Sequence, residues 1–162
     1  MPPFDHHFLS FLIRWAHVGS MAFLLGGAIL VWGLSSKSDA LDQGGHNRLL
    51  IFAAEKYEMF FWVAMGIQVI TGIGNLGAFG AALPDASTAW GVKLTIKLLA
   101  VLIFFVLSLL RTFLFTRLSA CLSAAGNGTI SMPLSKIFQG FYGGTVLALA
   151  AILILAVYLA HG

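Results

Sequence analysis

Apolar residues along this chain gather into four long runs, at about 8–34, 49–79, 89–118 and 136–160. Each run is near or above the roughly 20 residues that carry an α-helix across a bilayer. Inside hydrocarbon every backbone N–H and C=O must find its partner within the segment, which an α-helix provides. The runs therefore predict four transmembrane helices, and their short connections predict an all-α, integral membrane four-helix bundle. The connections leave no room for a second domain, so residues 1–162 are expected to form a single membrane domain. Turn chemistry punctuates the runs: "SSKSDALDQGGHN", then "GAALPDAST" with Pro84 and Asp85, then "AAGNGTISMP".

Composition strengthens the membrane reading. The chain is 59% hydrophobic and 9% charged, against roughly 25% charged residues in a soluble domain. Its net charge of +3 comes from a few dispersed basic residues that mostly flank the runs, which does not imply nucleic-acid binding. The segment "MPPFDHH" lacks a basic n-region, and the first run is too long for a cleavable signal peptide. A single cysteine, Cys121, excludes an intrachain disulfide.

The connections also predict orientation. The first holds Lys37 and Arg48, with Lys56 just inside the next run; the third holds Arg117 and Lys136, with Arg111 close by. The second has no Lys or Arg. The positive-inside rule places the first and third connections in the cytoplasm. Both termini then face outward, on the periplasmic side of a bacterial-type inner (plasma) membrane.

Ionisable groups within lipid are costly and mark candidate sites. Arg14 and His17 share a face of the first run, with Ser10 one turn before and Met21 one turn after. Lys93 and Lys97 share a face of the third run, and Gln68, Thr71 and Asn75 form a stripe on the second. Counted from the outward end, all three sets fall in the outer half or near the midplane. They predict one outward pocket walled by Arg14, His17, Lys93 and Lys97. No carboxylate lies at that depth. Glu55 and Glu58 belong to the inner end of the second run, where Arg48 and Lys56 can pair with them.

Cations without an internal partner call for an anionic or strongly accepting guest: porphyrin propionates, a quinone carbonyl or a lipid phosphate. The competing reading is that Arg14, Lys93 and Lys97 snorkel to outer headgroups. A neutral His17 imidazole suits haem iron. His6, His7 and Met21 offer copper-compatible donors at the outer surface. Gly19, Gly26 and Gly27, the glycines of "TGIGNLGAFG" and those of "GFYGG" allow close helix packing or make room for a flat cofactor. No nucleophile–base pair, phosphate loop or zinc spacing is present.

The segment "RWAHVGSMAFLLGG", followed two runs later by "WGVKLTIKLL", resembles the CopD-like and HemJ-like small membrane proteins. The first group is linked to copper handling; the second comprises protoporphyrinogen oxidases that bind haem b. The HemJ-like pattern has a basic residue, two spacers and a His in the first span, then a Trp shortly before a Lys in the third. The matching positions are Arg14, His17, Trp90 and Lys93. The resemblance implies haem ligation by His17 and a pocket role for Lys93. The chain lacks the Pro-Arg and aromatic-His segment of the HemJ-like first span and the histidines of its third. A second axial ligand would come from another protomer, from Lys97, or from His6, His7 or His161.

The expected function is therefore electron transfer through haem b, held by His17 with Arg14, Lys93, Lys97, Asn75 and Trp90 around it. A quinone or another redox subunit is the expected partner, and the chain is expected to be a homo-oligomer or a subunit of a larger complex. HemJ-type protoporphyrinogen oxidation, CopD-like copper handling and a structural subunit without cofactor are the alternatives.

Overall fold

A computed structural model describes residues 6–36, 43–77, 88–124 and 134–161. They form four helices: α1 (His6–Ser36), α2 (Gln43–Gly77), α3 (Ala89–Ala124) and α4 (Leu134–His161). None of these helices contains a proline, which in a helix interior would remove a hydrogen bond and clash. At the start of α3, Thr88 acts as N-cap: Gly91 N–H donates to its Oγ1 at 3.0 Å. Each helix contains a stretch long and apolar enough to cross a membrane: Phe8–Ser36, Gly45–Leu76, Ala89–Ala120 and Ser135–Tyr158. The chain is a multi-pass membrane protein. The predicted second run was drawn from 49, whereas the candidate span begins at Gly45, because the helix continues through the polar residues before the apolar run.

Neighbouring helices run antiparallel. His17 of α1 meets Thr71 of α2, while Leu24 meets Tyr57. Ser36 of α1 meets Gln139 of α4, and Arg111 of α3 meets Thr145 of α4. The result is an up-down-up-down bundle with the start of α1 and the end of α4 at one end, called here the termini end.

Inward positions recur every three to four residues, as helix geometry requires. On α1 the buried stripe is Ser20, Leu24, Ala28, Val31 and Ser35; on α4 it is Phe138, Tyr142, Thr145 and Leu149. The outward faces are apolar, with Leu30, Ile70, Leu102 and Ile154 all exposed. Only 22–33% of each span's most apolar window is buried within the monomer, so most of the helical surface meets lipid. Exposed Trp15 and Trp32 stand 17 positions apart on α1. That separation is about 26 Å along a helix, close to the roughly 30 Å of hydrocarbon that such aromatic belts bracket.

The helices pack unevenly. The backbone of α1 lies close to those of α2 and α4. Glycine makes this approach possible at Gly27, where an added Cβ would stand 2.5 Å from the Tyr57 ring. At Gly143 an added Cβ would stand 3.0 Å from Trp32 Nε1. The backbones of α2 and α3 stay further apart, and long side chains bridge them. Phe61 packs on Phe104 with ring centroids 6.2 Å apart, and Trp62 on Phe105 at 5.7 Å.

Candidate functional site

Two polar layers cross this otherwise apolar bundle. The first lies near the termini end and is centred on His17, two residues along α1 from exposed Trp15. The His17 ring reaches across to α2 with both nitrogens. Nδ1 is 2.9 Å from Thr71 Oγ1, and Nε2 is 3.1 Å from Gln68 Nε2. Thr71 spends its single hydroxyl proton on the Ile67 carbonyl at 2.6 Å. It therefore accepts from His17, which fixes the proton on Nδ1 and leaves a lone pair on Nε2. The Gln68 amide donates to that lone pair, and Ser20 Oγ donates to Gln68 Oε1 at 2.6 Å. A Cβ at Gly72 would stand 3.6 Å from His17 Cε1, an ordinary van der Waals contact.

Lys97 belongs to this layer. It continues the inward stripe of α3 between Leu94 and Phe104, is half-buried, and interacts electrostatically with His17. It makes no hydrogen bond or ion pair with another described residue. The layer thus joins a neutral imidazole, an amide, two hydroxyls and one uncompensated cation.

The other residues predicted for the pocket stand elsewhere. Arg14 is exposed on α1 and has no hydrogen bond or ion pair among the described residues. Lys93 is half-buried, with Nζ 4.4 Å above the ring of exposed Tyr158, which holds it toward the rim. Asn75 and Trp90 are half-buried, one turn beyond Thr71 on α2 and near the start of α3. Met21 packs against the apolar core. The side chains of His6, His7 and His161 lie outside the described residues. Among the described residues, no three His, Cys, Asp or Glu side chains gather to hold a metal ion.

The second layer lies nearer the opposite end, and it corrects the expected pairing of Glu58 with Arg48 or Lys56. Glu58 pairs instead with Arg111 of α3, Nε to Oε1 at 3.0 Å, with both side chains buried. The Nε–H does not point along that line, so this contact is ionic more than directional. Arg111 Nη2 donates to Glu58 Oε2 at 3.2 Å, and Nη1 donates to Thr145 Oγ1 at 2.7 Å. Thr112 and Tyr142 donate to the same carboxylate at 2.6 and 3.0 Å. The guanidinium lies 4.4 Å from the Phe61 ring centroid, a cation–π contact that further offsets its desolvation. Arg48, Glu55 and Lys56 are exposed. Depth explains the outcome. Glu58 lies on the inward stripe of α2 with Ala54 and Phe61, whereas Arg48 and Lys56 point outward.

Sequence reasoning did not single out Arg111 as a partner. Its signal was its place in the series Phe104, Ser108, Arg111, Phe115, a helical stripe whose members are all buried.

No protein-family model matches the chain, no curated protein matches it in sequence, and no solved structure matches its fold.

Proposed function

We propose that the termini-end layer holds haem b through His17 and that the protein transfers single electrons within the membrane. The hydrogen-bond pattern around the His17 ring carries this reading: Thr71 accepts from Nδ1–H, which leaves a lone pair on Nε2, as an imidazole ligand to iron would need. The residues present fit the group in charge as well. Haem brings carboxylates, and the Lys97 cation beside His17 has no acidic partner among the described residues. Haem supplies a metal that accepts and returns one electron, and the protein sets its potential by ligation, polarity and burial.

The chain's own residues divide the work. Thr71 orients the imidazole. Lys97, and Lys93 at the rim, would offset propionate charge. Gln68 holds the Nε2 lone pair in this structure and would have to turn away for iron to share it. A quinone or a further redox subunit is the electron partner, and a bacterial-type inner membrane with both termini outward is the setting.

The hydrogen-bonded Gln68 favours a second reading, in which the layer is a clamp between α1 and α2 in a structural subunit. Visible spectra of the purified full chain, oxidised and dithionite-reduced, separate the two. Haem ligation predicts a Soret band with sharp reduced α and β bands, lost in His17→Ala and kept in Gln68→Leu. A featureless spectrum in freshly isolated membranes, with both variants equally destabilised, selects the clamp.

A further inference from the structure

We propose that the lateral groove between α3 and α4 binds the head ring of an isoprenoid quinone. The groove encloses about 280 Å³ and opens toward the lipid, close to the smallest small-molecule sites at roughly 300 Å³. It is far along the bundle from His17 and adjoins the second polar layer instead. Its floor is open because α4 presents glycine there: a Cβ at Gly140 or Gly144 would have no atom within 4 Å. Phe104 lines it from α3 and Phe141 from α4, giving aromatic surface on which a flat ring stacks.

Two donors at the base define the ligand's chemistry. Ser108 is 3% exposed and lines the groove, yet its hydroxyl bonds to no described residue. Its Oγ is not among the fully buried unpartnered atoms of the described residues, so it keeps access to the groove and can donate to a ligand there. Arg111 also lines the groove. A guanidinium carries five N–H groups. Glu58 and Thr145 account for three of them, counting the ionic Nε contact, so two remain. Thr145, the third polar residue there, is already satisfied: it accepts from Arg111 and donates to the Phe141 carbonyl at 2.8 Å. The site therefore lacks acceptors, not charge. Glu58 already neutralises Arg111, so the fitting ligand is a neutral carbonyl on a flat apolar ring, reached sideways from the bilayer. Ester carbonyls of phospholipids share the acceptor but not the flat ring. The proposal gives the electron partner suggested above a place to dock; it rests on that reading for its use and not for the binding.

The test is photolabelling of the full chain in nanodiscs with an azido-benzoquinone bearing an isoprenoid tail, mapped by mass spectrometry. Label is expected on the stretch of α3 from Phe104 to Leu114 and on α4 from Gly140 to Ala148. Gly144→Leu, which fills the floor, should cut that label to below about a tenth. Ser108→Ala removes one hydrogen bond without touching the backbone and should weaken labelling about three- to tenfold. His17→Ala should leave it unchanged, so loss of the haem reading and loss of this one are distinguishable. Label spread evenly over the outward faces, or indifferent to both groove variants, overturns the proposal. So does groove label that appears in ether-lipid discs and vanishes in ester-lipid discs, which assigns the groove to phospholipid.

Discussion

Removing one member of the Glu58–Arg111 pair should cost far more stability than removing both. The two side chains are each 6% exposed, so neither reaches water when its partner is gone. At an effective dielectric of 20, unit charges about 4 Å apart attract by about 4 kcal/mol. Stranding one buried charge typically costs about 3–5 kcal/mol. The two single variants should not be equal. In Arg111→Met the carboxylate keeps Tyr142 and Thr112 as donors and can take up a proton, so the cost should fall near the lower figure. In Glu58→Leu the guanidinium keeps only Thr145 and the rings around it, and Tyr142 loses its acceptor as well. That variant should fall near the upper figure. The double variant strands no charge. Its main loss is the buried Tyr142 hydroxyl, at about 1–3 kcal/mol. The cycle should therefore close with a coupling of roughly 3 kcal/mol or more, at the upper end for directly contacting residues. Equilibrium unfolding in mixed micelles, titrated with sodium dodecyl sulfate and followed by far-UV circular dichroism, measures it. Single variants within about 1 kcal/mol of the parent, or a double variant as unstable as their sum, would refute the argument.

Three further outcomes are expected from the same unfolding assay. Gly27→Ala drives a methyl into the Tyr57 ring and should cost about 1–3 kcal/mol, whereas Gly19→Ala, with no atom within 4 Å of its Cβ, should be neutral or stabilising by up to about 1 kcal/mol. His46 is 2% exposed and neither ring nitrogen has a partner among the described residues; His46→Leu removes two unsatisfied polar atoms and should stabilise by about 1–2 kcal/mol. Thr88→Ala removes the cap on Gly91 and should cost about 1 kcal/mol, with hydrogen exchange rising in the first turn of α3 only.

The four helices were legible because a span is a local property: twenty apolar residues suffice to declare it, whatever they pack against. Their limits proved less sharp, since the polar residues from Gly45 to Arg48 are helical without being apolar. The stripe of Gln68 and Thr71 was also legible from spacing alone, and the structure brings both to His17. Asn75 shares the stripe on paper but sits a turn further on and takes no part in that network. Arg14 shows the limit of face arguments. It lies three residues from His17, a separation of about 60° round the helix, enough to put one residue at the helix contact and the other in lipid. The Glu58–Arg111 pair was hidden for another reason. Its members are 53 positions apart, and only the antiparallel register of α2 and α3 brings them to one level. Local charge proximity favoured Arg48 and Lys56, which the helix turns outward.

The two polar layers solve the cost of burying charge in opposite ways, and that difference bears on where ligands belong. In the layer nearer the connections, each carboxylate oxygen of Glu58 meets Arg111 and one hydroxyl donor, and the charges cancel. Nothing ionic is left to recruit; what remains is spare hydrogen-bond donation toward the α3–α4 groove, which favours a neutral acceptor. In the layer at the termini end the contacts are those of neutral groups, and Lys97 has no described counter-charge. Its charge can be relieved by water near the interface or by an anionic guest, and the His17 lone pair, already held by the Gln68 amide, does not choose between them. A single substitution tells these apart. Lys97→Met should stabilise the protein if water alone serves the ammonium, because an apolar side chain then replaces a half-buried cation. It should lower cofactor retention, with the fold intact, if an anionic guest is what the lysine holds. Retained cofactor in a more stable Lys97→Met protein would remove Lys97 from the site and leave His17 to carry it alone.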